Sequence, residues 1–255
     1  MVLRQLPQIF GLVYALVMVP LIAWLWYRKM FSRMTGLAVL AVSTLLGFLL
    51  FAPMAPYQFQ LAVLGKQQAL PVPIIGVFVL LAVFWVYSLV AGRIFCGHIC
   101  PIGTTQEIAY LVPVKKFILG HKHKTMAFRW VFFVLFITAA VIFSLGLVQL
   151  FGIHEFFHLD VTSPMFFAFV VLLLAAVFVY RPFCRLFCPF GALLSLAARW
   201  SVLKFKNTDR CIDCLKCIRA CPTQEAGTAA KKDECYMCGR CIEACSDTGG
   251  IEYRK

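Results

Sequence analysis

The chain has 255 residues, of which 62% are hydrophobic and only 14% charged, with a mean hydropathy of +0.87. A soluble core of this size cannot bury so much apolar surface, so a water-soluble globular fold is excluded and a membrane protein is implied. The net charge of +13 is no argument for nucleic acid, because basic residues bordering transmembrane segments produce the same excess.

Stretches free of Asp, Glu, Lys and Arg run over 5–27, 34–65, 67–92, 130–154 and 161–180. A helix of roughly 20 apolar residues crosses the hydrocarbon, so spans are expected near 7–27, 36–53, 73–91, 130–151 and 164–180. The first reads as a retained helix: Trp24, Trp26 and Tyr27 stand where a signal peptide would carry small cleavage-site residues. Arg28, Lys29 and Arg33 follow it, and Arg93, Lys115, Lys116, Lys122, Lys124 and Arg129 separate the third and fourth spans. The opposite loops hold little besides Lys66, Glu155 and Asp160. The positive-inside rule then places the basic loops and the C-terminus in the cytoplasm, with the N-terminus and loop 152–163 outside. Hydropathy collapses near residue 200. The expected fold is a membrane all-α helical bundle of about five transmembrane helices over 1–200, followed by a C-terminal ferredoxin-like α+β two-cluster domain over 201–255.

The 12 cysteines all fall in sets spaced by three or four, a metal-ligand pattern rather than a disulfide framework. Residues 93–103, RIFCGHICPIG, and 181–191, RPFCRLFCPFG, share the pattern R-x-F-C-x-x-x-C-P-x-G at an offset of 88 residues. Each copy follows an outside-to-inside span, so the unit is a helical hairpin ending in a cysteine loop, present twice in one orientation. Parallel repeats are related by an axis along the membrane normal, and such an axis brings the two loops together at the cytoplasmic surface. Cys96, Cys100, Cys184 and Cys188 therefore suit a further metal or iron–sulfur centre. Structural, partner-docking and thiol-redox roles are the alternatives. The Pro and Gly after each pair free backbone N–H groups beside the sulfurs.

Residues 211–222, CIDCLKCIRACP, and 235–246, CYMCGRCIEACS, both read C-x₂-C-x₂-C-x₃-C, the spacing that wraps three thiolates around one corner of a cubane. In two-cluster ferredoxins the fourth cysteine of each run ligates the other cluster. One [4Fe–4S] cluster then takes Cys211, Cys214, Cys217 and Cys245; the second takes Cys235, Cys238, Cys241 and Cys221. Zinc sites use a different spacing, often with histidine. Lys216, Arg219, Lys231, Lys232 and Arg240 give the tail a positive field.

With these motifs in hand, the chain resembles the NapH/NosR-type membrane iron–sulfur quinol dehydrogenase subunits over about residues 36–255. The carriers are CGHICPIG and CRLFCPFGALLSL followed by two ferredoxin motifs. His98 departs from the pattern, standing where an aromatic residue is expected. The resemblance implies a prokaryotic cytoplasmic membrane protein with cytoplasmic clusters that exchanges electrons between quinol and a partner.

Quinol oxidation needs proton acceptors that titrate near ambient pH. Loop 152–163 concentrates His154, Glu155, His158 and Asp160, with Phe156 and Phe157 as walls for a quinone ring; the plainer reading is a wet loop at the headgroup level. Glu107 suits either a proton relay or a helix N-terminal charge. The expected function is a membrane electron-transfer subunit passing electrons between the quinone pool and [4Fe–4S] clusters for a partner reductase. It acts as a quinol dehydrogenase component within a complex. Its partners are membrane lipid, quinone and redox proteins (a ferredoxin-like protein, a cytochrome or a reductase subunit), with no nucleic acid. The alternative is an electron-delivering maturation or metal-reducing membrane protein that serves assembly of a redox cofactor.

Overall fold

A computed structural model describes residues 2–51, 55–70, 73–120, 122–228, 230–247 and 249–255. Helices α1 (Val2–Tyr27), α2 (Arg33–Leu50), α3 (Ala55–Val63), α4 (Ile74–Ala91), α5 (Pro101–Tyr110), α6 (Lys122–Phe143), α7 (Ile153–Phe157), α8 (Pro164–Phe178) and α9 (Pro189–Arg199) make up the apolar part. Four of them, α1, α2, α4 and α6, are long and apolar enough to cross a membrane. The fifth expected span is shorter: α8 has 15 residues, about 22 Å of rise against a hydrocarbon thickness of about 30 Å. The uncharged stretch 34–65 is not one helix. It breaks at Phe51, whose φ is 48°, and α3 follows. The expected fourth span starts earlier, at Lys122, and ends at Phe143, where a 3₁₀ segment, Leu147–Phe151, takes over.

The helices are apolar outward and small or polar inward. Leu49, Ile75, Val131 and Ile142 are exposed, whereas the buried face of α2 is Gly36, Leu40, Ser43 and Gly47. Small residues at this spacing let backbones approach closely where lipid removes the hydrophobic drive between helices. A Cβ on Gly47 would stand 2.5 Å from Pro101 Cβ and 2.8 Å from a Phe157 ring carbon.

The cysteine loops do not lie at the surface of the bundle; they turn back into it. After α4, the segment Phe95–Ile99 forms one π-helical turn, and Phe183–Phe187 forms the same turn after α8. Contacts with α2 measure the depth of the first loop. Ser43 Oγ donates to the His98 carbonyl (2.8 Å), Thr44 bonds Thr104 (2.8 Å), and Pro101 meets Gly47. The loop thus reaches 14 residues into α2 counted from Arg33, about 21 Å along its axis, before α5 runs back toward the tail. Sequence alone missed this re-entry because a π turn carries no apolar periodicity of its own.

The tail contains strands β1 (Lys204–Asn207) and β2 (Ile251–Arg254), paired antiparallel with Phe205 opposite Tyr253, and helices α10 (Lys216–Ala220) and α11 (Arg240–Glu243). It docks on the end of the bundle where the basic loops lie, through ion pairs that the positive-inside count does not anticipate. Glu234 accepts two hydrogen bonds from Arg129 (2.6 and 3.2 Å) and one from Arg93 (3.2 Å). Arg93, Arg129 and Glu234 are all buried, so two of the arginines counted toward the positive-inside rule are core residues.

Removing one member of a buried ion pair leaves an uncompensated charge and typically costs about 3–5 kcal/mol. Glu234→Gln is therefore expected to release the tail from the bundle. Limited proteolysis of the full chain in detergent should cut between β1 and the preceding α9 much faster than in the unsubstituted protein.

Candidate iron–sulfur electron-transfer site

The two π turns are built alike. Cys100 N donates to Phe95 O at 2.9 Å, and Cys188 N to Phe183 O at 3.0 Å. Gly191 N donates to Cys188 Sγ at 3.2 Å. Backbone hydrogen bonds from Ile102 and Gly103 reach the Cys100 sulfur. Proline at the start of α5 and α9 has no N–H to give, and the residues after it supply the donors.

The repeats are also strapped across one another. Arg181, which opens the second repeat, donates to the Cys96 and Gly97 carbonyls of the first and pairs with Glu107 at 2.7 Å. Its guanidinium lies 3.0 Å from where a Gly103 Cβ would stand; Arg93 lies 3.2 Å from the equivalent point at Gly191. Tyr236 of the tail stands between the two arginines, its ring 4.2 Å from Arg93 and 5.0 Å from Arg181. The approximate twofold arrangement implied by the repeated motif is thus present around a tail residue.

Cys96, Cys100, Cys184 and Cys188 are buried and line one small enclosed cavity with Arg93, Phe190 and Pro56. Gln106 Nε2 donates to Cys184 Sγ at 3.4 Å. Thiols so placed stay protonated unless a cationic centre takes them as ligands. The surroundings supply cationic donors with nothing to bond: Arg93 Nε and Nη2 and Arg185 Nε and Nη1 are buried and unpartnered. A buried guanidinium edge without an acceptor is costly. Anionic thiolate-bound iron–sulfur groups are the kind of occupant that would satisfy it.

In the tail, Cys211, Cys214, Cys217 and Cys245 line one cavity, and Cys221, Cys235, Cys238 and Cys241 line a second. Ile251 is on the wall of both. Among the described residues, no three Cys, His, Asp or Glu side chains converge closely enough for a single metal ion. Each of the three cysteine sets nevertheless lines a cavity of its own. Cys214 is exposed, whereas Cys241 is buried.

Gly97 is a point of close backbone contact between bundle and tail, because a Cβ there would collide with the Tyr236 carbonyl. Sequence reading passed over it. It also passed over the role of Arg93 and Arg181, although an arginine opens both copies of the motif. Glu107 is neither free nor a helix-end charge: it joins Arg181 and Arg240. Of the tail's basic residues, Lys232 is buried and Arg240 is tied to Glu107, so neither belongs to a free positive field.

The four residues of the outer loop do come together in part. His154 and His158 rings lie 4.4 Å apart and pack against Phe51, and Tyr57 stacks on His154. Glu155 has one buried unpartnered oxygen, and Asp160 accepts from Thr162 at 2.6 Å. Phe156 and Phe157 are not open walls; both are packed against Phe48 and Phe169.

The fold and these cysteine sets define a class, membrane proteins that bind iron–sulfur clusters, and comparison with known proteins makes it specific. A family model described as a 4Fe–4S binding domain matches twice, at residues 72–120 and 162–208, one match for each repeat. A 4Fe–4S dicluster domain matches residues 203–246. An uncharacterized protein of Methanocaldococcus jannaschii is 32% identical over 54% of this chain and 55% of its own length. YccM of Escherichia coli K12, named for electron transport, is 28% identical over 79% of this chain and 60% of its own. The ferredoxin-type protein NapH of Haemophilus influenzae is 24% identical over 58% of this chain and 55% of its own. The chain spans a little over half the length of these relatives. No solved structure matches. The chain thus carries 4Fe–4S binding domains behind and within an apolar helical part, and it is similar to ferredoxin-type and electron-transport proteins.

Gly97→Ala tests the contact between bundle and tail. Forced into close-packed backbone, the added methyl should cost about 1–3 kcal/mol and lower the thermal midpoint of the purified protein. Gly120→Ala, with nothing within 4 Å of its Cβ position, should leave the midpoint unchanged.

Proposed function

We propose that this chain passes electrons between the membrane quinone pool and a separate redox protein through three cysteine-bound iron–sulfur centres. In this reading Cys211, Cys214, Cys217 and Cys245 hold one [4Fe–4S] cluster; Cys221, Cys235, Cys238 and Cys241 hold a second; Cys96, Cys100, Cys184 and Cys188 hold a further iron–sulfur centre. The clusters supply one-electron carriers, and the protein supplies burial, cationic surroundings and order. The observation that carries the reading is the serial arrangement of the cysteine cavities. Exposed Cys214 opens the first, Ile251 separates the first from the second, and the Tyr236–Gly97 contact joins the second to the bundle interior. The exposed end suits docking of a redox partner, and the tail faces the cytoplasm.

Full-length protein purified without oxygen should contain about twelve iron atoms and as many acid-labile sulfides per chain, as three cubanes require. Cys184→Ser should remove about four of each and leave the tail's electron paramagnetic resonance signals in place. Unchanged iron would reduce the bundle cysteines to a structural role, and stoichiometric zinc would overturn the cluster reading altogether.

A reporter active only in the cytoplasm, fused after Lys255, should be active, and a cysteine introduced at Thr162 should label from outside. Reversal of both results would invert the proposed route.

A further inference from the structure

The largest cavity described here belongs to neither the cysteine sets nor the outer loop. It holds about 300 Å³ and lies between the end of α1, the first two turns of α2, α5 and the second tail motif. Its lining combines aliphatic, aromatic and polar residues. Leu37, Leu40 and Leu111 line one part, and Trp26 and Phe31, stacked at 4.4 Å, line another. The polar part is formed by His98, Glu107 and Arg240. Cys238 is also on the wall, so a ligand here lies against a residue of the second tail cysteine set.

Three lining residues carry buried polar atoms without a partner: Trp26 Nε1, His98 Nδ1 and Arg240 Nη1. Unsatisfied buried polar atoms are costly and uncommon, and three around one cavity point to a ligand that bonds them. That ligand carries little net charge. Arg240 is paired with Glu107, and the other two charged lining residues, Arg33 and Glu243, are of opposite sign. The lining as a whole therefore offers an anionic phosphate headgroup no net positive charge. A flat, neutral ring with polar oxygens and a long apolar tail fits each part: oxygens toward the orphaned atoms, ring beside Trp26 and Phe31, tail along the leucines. The volume is in the range of small-molecule sites, which are mostly apolar with a few placed polar groups.

We propose that this cavity is the quinone/hydroquinone site, on the tail side of the bundle, and that loop 152–163 is not. The proposal rests on the quinone-linked reading above and gives it a location. On becoming quinone, a hydroquinone loses two electrons and two protons. Two one-electron acceptors are required, the number of four-cysteine sets in the tail, and the wall at Cys238 leads to them. The protons leave at the rim, where Glu243 is exposed, into water on the tail side. The reverse reaction takes the same groups in the opposite order.

The test uses cluster-loaded, full-length protein in lipid nanodiscs and two readouts. One is binding of 2-heptyl-4-hydroxyquinoline N-oxide, a redox-inactive quinone mimic, followed by quenching of its fluorescence. The other is bleaching of the visible iron–sulfur absorbance by menadiol, with dithionite as a reductant that needs no site. Leu40→Trp fills the cavity, and Leu37→Trp narrows it from a half-buried position that perturbs folding less. Each should weaken probe binding by about tenfold or more, a difference of about 1.4 kcal/mol, and slow menadiol bleaching. Dithionite bleaching and iron content should be unchanged, and His154→Ala should behave as the unsubstituted protein. Pocket variants that bind and react normally overturn the location, as does loss of both readouts in His154→Ala. If the unsubstituted protein is bleached by dithionite but neither binds the probe nor reacts with menadiol, the quinone-linked reading itself fails.

Discussion

The structure depends on how a low-dielectric bundle accommodates Arg93, Arg129, Arg181 and Arg185. Ionisable groups at such depth are expensive, and they persist where they pair with one another or with a functional group. Here Glu107 holds Arg181, and Glu234 holds Arg93 and Arg129. Burial works against the charge on Glu234, yet Arg129 and Arg93 keep its carboxyl below the ordinary carboxylate range. These contacts fix the two cysteine turns, the position of Tyr236 between them and therefore the spacing of the cysteine cavities. Arg93, one of the arginines left with unpartnered edges, lines the cavity that Cys96, Cys100, Cys184 and Cys188 share.

The two repeats are alike in backbone but not in charge. At the offset of 88 residues, Glu107 of the first corresponds to Ser195 of the second. Arg181 finds its carboxylate within the membrane part; Arg93 does not. The missing acid comes from the tail as Glu234, and Ser195 is left to accept from Arg129 at 2.8 Å. This asymmetry explains why the tail docks in one orientation on a nearly twofold surface. It also places the second cysteine set, rather than the first, against the bundle.

The grouping of the cysteines was legible in the sequence wherever it was carried by spacing. The tail runs and the paired R-x-F-C-x-x-x-C-P-x-G motifs are local patterns, and each four-cysteine group assigned from them lines a common cavity. What depended on long-range contact was not legible. Arg93 and Arg129 looked like interfacial anchors because a charge beside an apolar run normally is one; only the fold reveals Glu234, 141 and 105 residues away. The apolar stretch 34–65 hid a helix break because uncharged composition does not mark a left-handed residue such as Phe51. The cavity beside Cys238 gathers α1, α2, α5 and the tail, and no window of sequence contains it.

The separation of 105 residues between Arg129 and Glu234 also bears on how the protein is made. Synthesis runs from the N-terminus, so both arginines enter the bundle region well before their carboxylate exists. Until the tail arrives, these two arginines lack the carboxylate that pairs them. Glu234 immediately precedes Cys235, so the group that completes the membrane part is presented by a segment that must itself fold to offer its thiols. Folding of the tail and pairing of these two arginines are thereby coupled.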